Sequence, residues 1–518
     1  MAPKDVDYSL YLVTDNTPAI LGDRDLVSVV QAAVQGGATI VQLRDKTSDT
    51  GDLVRIAKEL HQVTKPAGVP LLINDRVDVA LASGVEGVHI GQDDLDYKTT
   101  RKILGPEAII GVTANSLEEA LIAARDGADY LGLGAVFATP TKENTKSIPG
   151  TAGIQHILTR LAEEKLDVKT VGIGGINAKN AQRVLYQSAS ATKKLDGIAV
   201  VSAIMAAENP EEAAEDLEML IKIPPPFAKS IAKSALTLSD IQTKVPAIIA
   251  KVAAKKPLCH NMTNLVVQNF AANVALAVGC SPIMSNNGLE AADLAALGGS
   301  LVINMGTTTT DMRANHLTAL AAYNAVGGPA IFDPVGAGAT QERRNGVKAL
   351  MAGGYFDIIK GNENEIRTVS GAAGVKQHGV DSGTSQLSRE ERIALVKTTA
   401  QREKNVILMT GATDFISDGE RTFAVSNGHE LLGEITGSGC TLGTTIAGIV
   451  AVERKDKLLG ALAGVLMYEI AAERAAKRGD VKGPGTFVPA FIDELYNIRQ
   501  ESVAGDGSWA QAAKVEIV

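Results

Sequence analysis

A cysteine lies inside a glycine-containing turn at residues 436–440, TGSGC, directly before the apolar run CTLGTTIAGIVAV. The run is apolar or small on every side, so it predicts a buried helix that begins at the glycine turn. The first backbone N–H groups of such a helix are unpaired and lie at its positive end. The turn is therefore a candidate anion site, and Cys440 would lie at it.

Four roles are open to Cys440: a small core residue, a redox thiol, half of a disulfide, or the reactive group of the anion site. Free cysteine is among the most buried residue types, which favours packing. A helix N-terminus, however, lowers a thiol pKa and gives a partial thiolate near neutral pH. A base beside an anion site is what phosphoryl transfer to an alcohol requires. We therefore predict that Cys440 is a catalytic base, and that Cys259 and Cys280 are core residues.

Eight short apolar runs within the first 205 residues each end in polar or glycine residues. The runs alternate with helical patterns, which predicts a parallel sheet covered on both faces. Eight such units in about 200 residues favour a (β/α)8 TIM barrel over an open doubly wound sheet. The catalytic residues of these barrels lie at the C-terminal ends of the strands. Here those ends carry Gln42, Arg44, Asp45, Lys46, Asn74, Asp75, Arg76, Gln92, Asp93, Asp94, Thr113, Thr139, Thr141, Lys142, Gly174, Gly175 and Ser202.

Acidic residues on neighbouring strands beside several cations suit a magnesium–polyphosphate substrate, because Mg²⁺ takes one or two carboxylates together with phosphate oxygens. The seventh and eighth runs end at Gly174–Gly175 and Val201–Ser202, where such barrels commonly hold a phosphate. A single polar residue at a strand end is usually a salt bridge or a cap. Eight polar ends together indicate a site for two phosphorylated ligands.

Three consecutive prolines, Pro224–Pro226, interrupt this alternation and predict a semi-rigid spacer. We predict a first domain over 1–222, a linker over 223–240 and a second domain over 241–518. The second half again alternates strands and helices, so it predicts a layered α/β domain with its site on the loops after the strands. Neither a Walker nor a Rossmann motif is present. The strand-end residues of interest are Asp333, Glu365, Thr410 and Gly411.

Composition narrows the class of protein. The 518 residues carry a net charge of −9 without a Lys/Arg block, which disfavours binding to nucleic acid or to an anionic membrane. Three cysteines argue against a disulfide framework and for a reducing compartment. The N-terminus has no apolar signal core, and no long apolar run predicts a membrane span. We expect a cytoplasmic enzyme that acts on small metabolites.

The motifs resemble two known families. The first half, about 8–220, resembles thiamine-phosphate synthase in QLRDK (42–46), NDR (74–76), GVHIGQDD (87–94), GVT (111–113), GLGAVFATPTK (132–142), GIGGI (172–176) and VVSAI (200–204). The second half, about 240–518, resembles hydroxyethylthiazole kinase of the ribokinase-like superfamily in PLCHNMTN (257–264), NMGT (304–307), DPVGAGAT (333–340), KGNENEI (360–366) and TGSGC (436–440). Together they resemble the fungal bifunctional enzymes of thiamine biosynthesis.

The resemblance implies two consecutive reactions. The C-terminal domain would phosphorylate 5-(2-hydroxyethyl)-4-methylthiazole with ATP. The N-terminal barrel would join the thiazole phosphate to 4-amino-2-methyl-5-hydroxymethylpyrimidine diphosphate, which gives thiamine phosphate and pyrophosphate. Mg²⁺ is implied in both domains. The alternative is that the barrel is a thiazole tautomerase-like or ligand-sensing relative fused to an active kinase. Asn115 favours the synthase, because the tautomerase relatives carry a histidine near that position.

The resemblance also implies a role for individual residues. In the barrel, Mg²⁺ would be held by Asp75 and Asp94, and the pyrimidine diphosphate by Gln42, Arg44, Lys46, Asn74, Thr113 and Lys142, with Arg44 and Lys142 acting in catalysis. The thiazole phosphate would be held by Thr139, Thr141, Gly175, Val201 and Ser202. In the kinase, the thiazole alcohol would contact Asn261, Met284 and Gly437, ATP would contact Lys360, Thr410 and Gly411, and Mg²⁺ would be arranged by Asp333 and Glu365. Cys440 would stand where the superfamily usually carries an aspartate base.

Assembly is a further implication. Isolated kinases of this type form trimers with sites between subunits, and the synthases form dimers. A homo-oligomer built on trimers, such as a hexamer, would satisfy both.

Lys360 stands where the bacterial kinases usually have arginine, which keeps the charge but loses the bidentate fork.

Overall fold

A computed structural model describes residues 6–137, 150–228, 235–372 and 387–518. The chain divides into two compact units, Met1–Pro225 and Pro226–Val518, so the division falls within the proline-containing segment. In the second unit, Pro226–Ala228 form a short 3-10 helix, and the ring of Phe227 stacks on that of Tyr355 at 4.5 Å. No helix of the described residues is long and apolar enough to cross a membrane.

The first unit is a closed barrel of eight parallel strands, as the sequence predicts. The strands are β1 (Leu10–Val13), β2 (Ile40–Leu43), β3 (Leu71–Asn74), β4 (Gly87–Ile90), β5 (Ile109–Ala114), β6 (Tyr130–Gly134), β7 (Lys169–Ile173) and β8 (Gly197–Val200). The helices are α1 (Leu26–Gln35), α2 (Thr50–Thr64), α3 (Val77–Ser83), α4 (Tyr97–Leu104), α5 (Leu117–Asp126), α6 (Gly150–Glu163), α7 (Ala181–Ser188), α8 (Ser202–Met205) and α9 (Pro210–Lys222).

Two apolar clusters hold the barrel together. The larger one fills the space between the strands and the surrounding helices, and it includes Leu10, Val41 and Ile198. The smaller one fills the inside of the barrel, and it includes Tyr11 and Tyr130. Because alternate residues of a strand face opposite sides, the continuous apolar strands serve both clusters. The two inner tyrosines bring hydroxyl groups into the barrel, directly beneath the strand ends that carry the predicted site.

The second unit is a layered α/β domain whose nine-stranded sheet has the order β10-β9-β11-β12-β13-β14-β15-β16-β17. The strands are β9 (Leu258–Met262), β10 (Ser281–Ile283), β11 (Ser300–Asn304), β12 (Ala330–Asp333), β13 (Ile358–Asn362), β14 (Val406–Thr410), β15 (Asp414–Ser417), β16 (Thr422–Val425) and β17 (Val515–Ile517). Neighbouring strands from β10 to β14 pair in parallel, and the last three join antiparallel. The carboxyl ends of the parallel strands therefore share one edge of the sheet.

Helices cover both faces of this sheet. They are α10 (Leu238–Lys255), α11 (Gln268–Val278), α12 (Ala291–Ala296), α13 (Thr310–Val326), α14 (Gln341–Gly353), α15 (Glu363–Val369), α16 (Arg389–Glu403), α17 (Ser438–Val450), α18 (Lys457–Ala476) and α19 (Pro484–Val503). In α17, every residue from Thr441 to Val450 is buried, as the unbroken apolar run predicts. Helices α17 and α18 are packed on all sides and form the centre of the larger of two apolar clusters.

Candidate active sites

A cavity of about 630 Å³ lies at the C-terminal ends of the barrel strands. Every described residue that the sequence analysis assigns to the barrel site lines this cavity: Gln42, Arg44, Lys46, Asn74, Asp75, Asp94, Thr113, Gly175, Val201 and Ser202. Thr139, Thr141 and Lys142 lie outside the described residues. The structure therefore brings six strand ends together around one space.

Two carboxylates and an ammonium group meet on one side of this cavity. Lys46 Nζ lies 3.2 Å from Asp75 Oδ2, and the backbone N–H of Gly91 donates to Asp94 Oδ2 at 2.7 Å. Burial and the neighbouring Asp75 carboxyl raise the pKa of Asp94. Like charges placed this close suit a divalent cation, which takes one or two carboxylates and completes its shell with phosphate oxygens. Among the described residues, no group of three or more His, Cys, Asp or Glu side chains is arranged to hold a metal ion.

Two of the polar strand-end residues do not reach the cavity. Asp45 accepts hydrogen bonds from the backbone N–H groups of Thr47 and Ser48, at 2.8 and 3.0 Å, and so shapes its own turn. Arg76 pairs with Asp78 at 2.6 Å on the surface. These are the salt-bridge and turn roles expected of isolated polar residues at strand ends.

A chain of hydrogen bonds crosses the inside of the barrel and was not foreseen from the sequence. Gln42 Nε2 donates to the Tyr11 hydroxyl at 2.7 Å, and the Tyr11 and Tyr130 hydroxyls are 2.7 Å apart. Tyr130 contacts His89 Nδ1 at 2.7 Å, and His89 Nε2 contacts Thr113 Oγ1 at 2.8 Å. The chain links two predicted ligand contacts, Gln42 and Thr113, through three residues without an assigned role.

Two glycines make room for this chain. A Cβ atom on Gly111 would lie 2.0 Å from Tyr130 Cζ, and one on Gly132 would lie 3.0 Å from His89 Cε1. Any larger residue at Gly111 would therefore displace the tyrosine. A histidine inside an apolar strand, with glycines on the next two strands, was the sequence signal for this network.

In the second unit, the predicted glycine turn opens helix α17. The helix begins at Ser438, and Gly437 caps it with a positive φ of 85°. A Cβ atom on Gly437 would lie 2.3 Å from Val267 Cγ1, so only glycine fits both the conformation and the space. The backbone N–H groups at the start of α17 lack helical acceptors, as predicted for an anion site.

Cys440 belongs to a connected polar cluster at the sheet edge. The Asn264 amide lies 3.4 Å from Cys440 Sγ and donates to Asn304 Oδ1 at 3.0 Å. Asn304 Nδ2 in turn donates to Asp333 Oδ2 at 2.8 Å. Lys360 Nζ completes the cluster, 3.1 Å from Asp333 Oδ1. Asn264 and Asn304 follow or end neighbouring strands, but the sequence analysis gave neither a role.

The expected lowering of the Cys440 pKa is wrong. Burial, and then the negative charge of Asp333, raise the pKa of the thiol to about 11. The Lys360 ammonium and the amides of Asn304 and Asn264 act in the other direction but do not outweigh these effects. The sequence shows the helix terminus but not the depth of burial or the carboxylate nearby. Cys440 is therefore a thiol at neutral pH.

Lys360 lies inside the cluster and is nearly fully buried. Burial lowers the pKa of its ammonium, but the charges of Asp333 and Glu365 and the hydrogen bond to Asp333, together with Cys440 where its thiol is ionised, outweigh burial and raise it. A Cβ atom on Gly439 would lie 3.6 Å from Lys360 Nζ, so the ammonium lies directly beside the glycine turn. A positive charge thus supports the backbone N–H groups of the candidate anion site.

Glu365, a predicted metal residue, is held by backbone groups. Its two carboxylate oxygens accept from the N–H groups of Gly336 at 2.7 Å and Asn362 at 2.8 Å. Burial and the charge of Asp333 raise its pKa to about 6. Asp333 ends β12 and Glu365 lies in the first turn of α15, directly after the neighbouring strand β13, so the two carboxylates suit Mg²⁺ either directly or through water.

Asn261 is not placed where the sequence analysis put it. Its side chain is fully buried, where it accepts from Thr444 Oγ1 at 2.8 Å and donates to the Cys259 carbonyl at 3.0 Å. It therefore ties β9 to α17 within the core. Met284 directly follows β10 and is partly exposed.

Two of the three predicted ATP contacts, Thr410 and Gly411, lie further along the same edge. Thr410 ends β14, and Gly411 is exposed directly after it. The Gly411 N–H donates to Asp414 Oδ1 at 2.9 Å, which fixes the turn between β14 and β15. The strand order thus places Met284, Asn264, Asn304, Asp333 and Thr410 at the ends of five of the six parallel strands, β10, β9, β11, β12 and β14.

Comparison with known proteins divides the chain in the same way. Residues 10–204 match the family model described as thiamine monophosphate synthase, and residues 249–501 match that of the hydroxyethylthiazole kinase family. A probable thiamine biosynthetic bifunctional enzyme of Schizosaccharomyces pombe is 43% identical, with 99% of each chain covered. The thiamine biosynthetic bifunctional enzyme of Saccharomyces cerevisiae is 37% identical, covering 96% of this chain and 97% of its own.

Among solved structures, a hydroxyethylthiazole kinase protein of Pyrococcus horikoshii OT3 is 35% identical. It covers 53% of this chain and 99% of its own, with a TM-score of 0.47. The two yeast relatives, by contrast, align along almost the whole chain. The chain therefore belongs to the family of thiamine biosynthetic bifunctional enzymes, which join a thiamine-phosphate synthase to a hydroxyethylthiazole kinase.

Proposed function

We propose that the two sites act in sequence, the kinase first and the barrel second. The second unit transfers a phosphoryl group from ATP to the alcohol of 5-(2-hydroxyethyl)-4-methylthiazole. The barrel then joins the thiazole phosphate to the pyrimidine diphosphate. The observation that carries this proposal is that each unit has its own polar site at the strand ends, and each site combines carboxylates with cations beside a place for phosphate.

In the barrel, the main task is to stabilise charge. Departure of pyrophosphate leaves a resonance-stabilised pyrimidine-methyl cation, which the thiazole nitrogen captures, so no nucleophilic side chain is required. Asp75 and Asp94 would hold Mg²⁺, which supplies positive charge to the diphosphate when bound. Lys46, Arg44 and Lys142 add cations for the leaving group. Gln42, Asn74 and Thr113 would orient the pyrimidine diphosphate.

The other end of the barrel cavity suits the second substrate. Gly174 and Gly175 both have positive φ, at 104° and 67°, and so turn sharply after β7. Val201 follows β8 and precedes Ser202, the first residue of α8. Backbone N–H groups of such turns bind phosphate well. We assign the thiazole phosphate to Gly175, Val201 and Ser202, together with Thr139 and Thr141.

In the kinase, the N–H groups of the turn from Gly437 to Cys440 would receive the transferred phosphoryl group, with Lys360 beside them. Asp333 and Glu365 would hold Mg²⁺ for ATP, and Thr410 and Gly411 would contact the nucleotide. Cys440 would meet the substrate hydroxyl, with Met284 and Gly437 in the thiazole pocket. Because phosphoryl transfer passes through a loose transition state, positioning and charge stabilisation contribute most of the rate.

The role of Cys440 as acceptor of the proton from the substrate hydroxyl is independent of the role of the turn from Gly437 to Cys440 as anion site. A thiol with a raised pKa has to lose its proton to the solvent or to a neighbour before it can act as a base. We keep Cys440 as the proposed base and test it with Cys440→Ser. Turnover near that of the wild type would refute the base role and leave the anion site in place.

One reaction series followed by mass spectrometry tests both activities. All samples contain Mg²⁺ and the pyrimidine diphosphate, with the thiazole alcohol and ATP, the alcohol alone, or preformed thiazole phosphate. We expect thiamine phosphate from the alcohol only with ATP, and from the phosphate without ATP. Thiazole phosphate that accumulates without thiamine phosphate would refute the synthase and support a tautomerase-like or sensing barrel. Thiamine phosphate that forms from preformed thiazole phosphate, but not from the alcohol with ATP, would refute the kinase.

We also propose a cytoplasmic homo-oligomer built on trimers of the kinase unit. Leu265 and Val266, beside Asn264 of the cluster, are each 66% exposed, and Leu289 and Leu297 are 86% and 76% exposed. Exposed apolar side chains next to a polar site, such as Leu265 and Val266, are typical of a subunit interface. The three unpaired cysteines agree with a reducing compartment. Light scattering that gives the mass of a monomer would refute the assembly.

A further inference from the structure

The hydrogen bonds of the chain inside the barrel share one direction, because each middle member has a single hydrogen to donate. A tyrosine hydroxyl carries a single hydrogen, and a neutral histidine carries one N–H and one bare nitrogen. Each of the three middle members, Tyr11, Tyr130 and His89, therefore donates one way along the chain and accepts from the other. Burial raises the pKa of Tyr11 and of Tyr130, so both hydroxyls keep their protons. With His89 neutral and each hydroxyl hydrogen kept within the chain, the chain can run in only two ways.

Gln42 selects one of them. Its Nε2 group, which can only donate, faces the Tyr11 hydroxyl at 2.7 Å. The Tyr11 hydrogen is then left for Tyr130, and the Tyr130 hydrogen for His89 Nδ1. His89 must carry its proton on Nε2 and donate it to Thr113 Oγ1. The hydroxyl hydrogen of Thr113 is thus left for the cavity, and so is the carbonyl oxygen of Gln42.

The proposed substrate requires the same direction when Thr113 contacts its diphosphate and Gln42 contacts its ring amino group, as the lining of the cavity by both side chains allows. The diphosphate of the pyrimidine substrate has oxygens that only accept, so a hydroxyl that contacts it has to donate. The ring amino group of the pyrimidine donates, so an amide that contacts it has to present its oxygen. The reversed chain would offer an acceptor to the diphosphate and a donor to the amino group. Both mismatches would leave buried polar groups unpaired, which is costly.

We propose that Tyr11, Tyr130 and His89 are positioning residues that set Gln42 as an acceptor and Thr113 as a donor toward the pyrimidine diphosphate. The proposal rests on the assignment of the barrel as the synthase. No proton is transferred along the chain; its role is to hold one arrangement of protons before the substrate binds. The arrangement also provides specificity, because a pyrimidine with oxygen in place of the ring amino group would place an acceptor against the Gln42 oxygen.

The first test measures the proton positions directly, by ¹⁵N NMR of the histidines in the full-length protein without substrate. The seven histidines are distinguished by the signals that disappear in His89→Asn. We expect His89 to carry its proton on Nε2 in the wild type. In Gln42→Glu a carboxylate, which only accepts, replaces the donor, so the chain should reverse and His89 should carry its proton on Nδ1. A proton on Nδ1 in the wild type, or no change in Gln42→Glu, would overturn the proposal.

A matched pair of tyrosine variants tests the consequence for turnover. Tyr130→Phe keeps the ring and cuts the chain, whereas Tyr8→Phe removes a hydroxyl that has no hydrogen-bond partner among the described residues. The two rings lie 4.9 Å apart in the same apolar cluster, so their effects on packing are comparable.

With preformed thiazole phosphate, Tyr130→Phe should lower kcat/KM for the pyrimidine diphosphate roughly tenfold, which corresponds to one hydrogen bond of ordinary strength. It should also reduce the preference for the amino over the oxo pyrimidine, while Tyr8→Phe changes neither. Equal effects of the two variants would overturn the positioning role. The NMR measurement needs no turnover. An inactive barrel with the expected His89 tautomer would therefore refute the synthase assignment, but not the direction of the hydrogen-bond chain.

Discussion

Lys360 Nζ lies 3.1 Å from Asp333 Oδ1, and neither side chain is more than 4% exposed. Asn304 Nδ2 satisfies the other carboxylate oxygen at 2.8 Å. Burying two charges costs about as much as their attraction returns, so a buried pair of this kind adds little to stability. It does place an ammonium beside the glycine turn of α17 and a carboxylate beside Cys440. The pair is therefore better explained by the chemistry of the site than by the stability of the fold.

Removing one partner of this pair should be more harmful than removing both. Lys360→Met leaves the Asp333 carboxylate buried and unpaired, so we expect the second unit to lose roughly 3–5 kcal/mol of stability. The double variant Lys360→Met/Asp333→Asn should recover most of that loss but not the phosphorylation of the thiazole. Calorimetry and the kinase assay measure the two effects. A double variant as unstable as the single one would contradict the explanation from an unpaired charge.

The raised pKa of Cys440 predicts slow alkylation at neutral pH. Because the thiolate is the reactive form, the rate of reaction with iodoacetamide should keep rising between pH 7 and pH 10, without a plateau near neutrality. Asp333→Asn removes a neighbouring negative charge and should make Cys440 react faster at a given pH. Cys259 and Cys280, which are fully buried, should not react in the folded protein and serve as internal controls. A plateau of the rate near pH 8 would contradict the raised pKa of Cys440 and indicate the lowered pKa expected at a helix N-terminus.

The barrel and its cavity could be predicted because its signals are local. Each strand is a short apolar run, and the residue that closes the run lies at the strand end whatever the details of packing. Once eight such runs close into a barrel, Asp75, Asp94 and Lys46 have to converge. The glycine turn before α17 was predictable for the same reason, since Gly437 requires only a positive φ and space.

Side-chain direction and burial could not be predicted in this way. Asn261 and Asn264 belong to one motif, yet only Asn264 reaches Cys440, because it follows β9 whereas Asn261 lies within it and packs against α17. The thiol pKa was missed because the depth of burial of Cys440, and then the nearby carboxylate of Asp333 from a strand distant in sequence, both depend on tertiary packing. The chain from Gln42 to Thr113 was missed because it joins five strands through the inside of the barrel.

The carboxylates facing Lys46 predict a selective loss of the magnesium-dependent condensation. Asp75→Asn removes one charge from the site, so we expect the condensation of preformed thiazole phosphate to fall by at least about 100-fold at limiting Mg²⁺, with partial recovery at high Mg²⁺. Asp96→Asn is a matched control, because Asp96 caps α4 and asparagine caps a helix equally well. The kinase activity of both variants should equal that of the wild type. An Asp75→Asn enzyme with an unchanged response to Mg²⁺ would remove this residue from the metal site.

A buried carboxyl pair in the second unit predicts how stability depends on pH. Burial raises the pKa of Asp414 from 3.8 to about 6, and burial together with the Asp414 charge raises that of Glu469 well above its ordinary value. Between pH 4 and pH 6 the unfolded chain has therefore released a proton that the folded unit still holds. Stability accordingly falls as the pH rises through this window, and the Glu469 contribution continues to fall above it.

Glu469→Gln should remove most of this dependence. The amide can donate to the Asp414 carboxylate without a titrating proton, so at pH 8 the variant should be more stable than the wild type by on the order of 1 kcal/mol or more. At pH 5 the difference should shrink or reverse. The buried His316, whose pKa is lowered to about 4, acts in the opposite direction, but its contribution cancels when variant and wild type are compared at each pH.

The measurement is calorimetric unfolding of the intact chain at pH values from 5 to 8. Glu516→Gln makes the same substitution at an exposed position of the same unit, and it should leave the profile unchanged. Because Asp414 also accepts the Gly411 N–H at the predicted nucleotide turn, the variant reports on that turn as well. If Glu469→Gln is less stable than the wild type at pH 8, the two carboxyls do not share a proton, and the turn after β14 is held in another way.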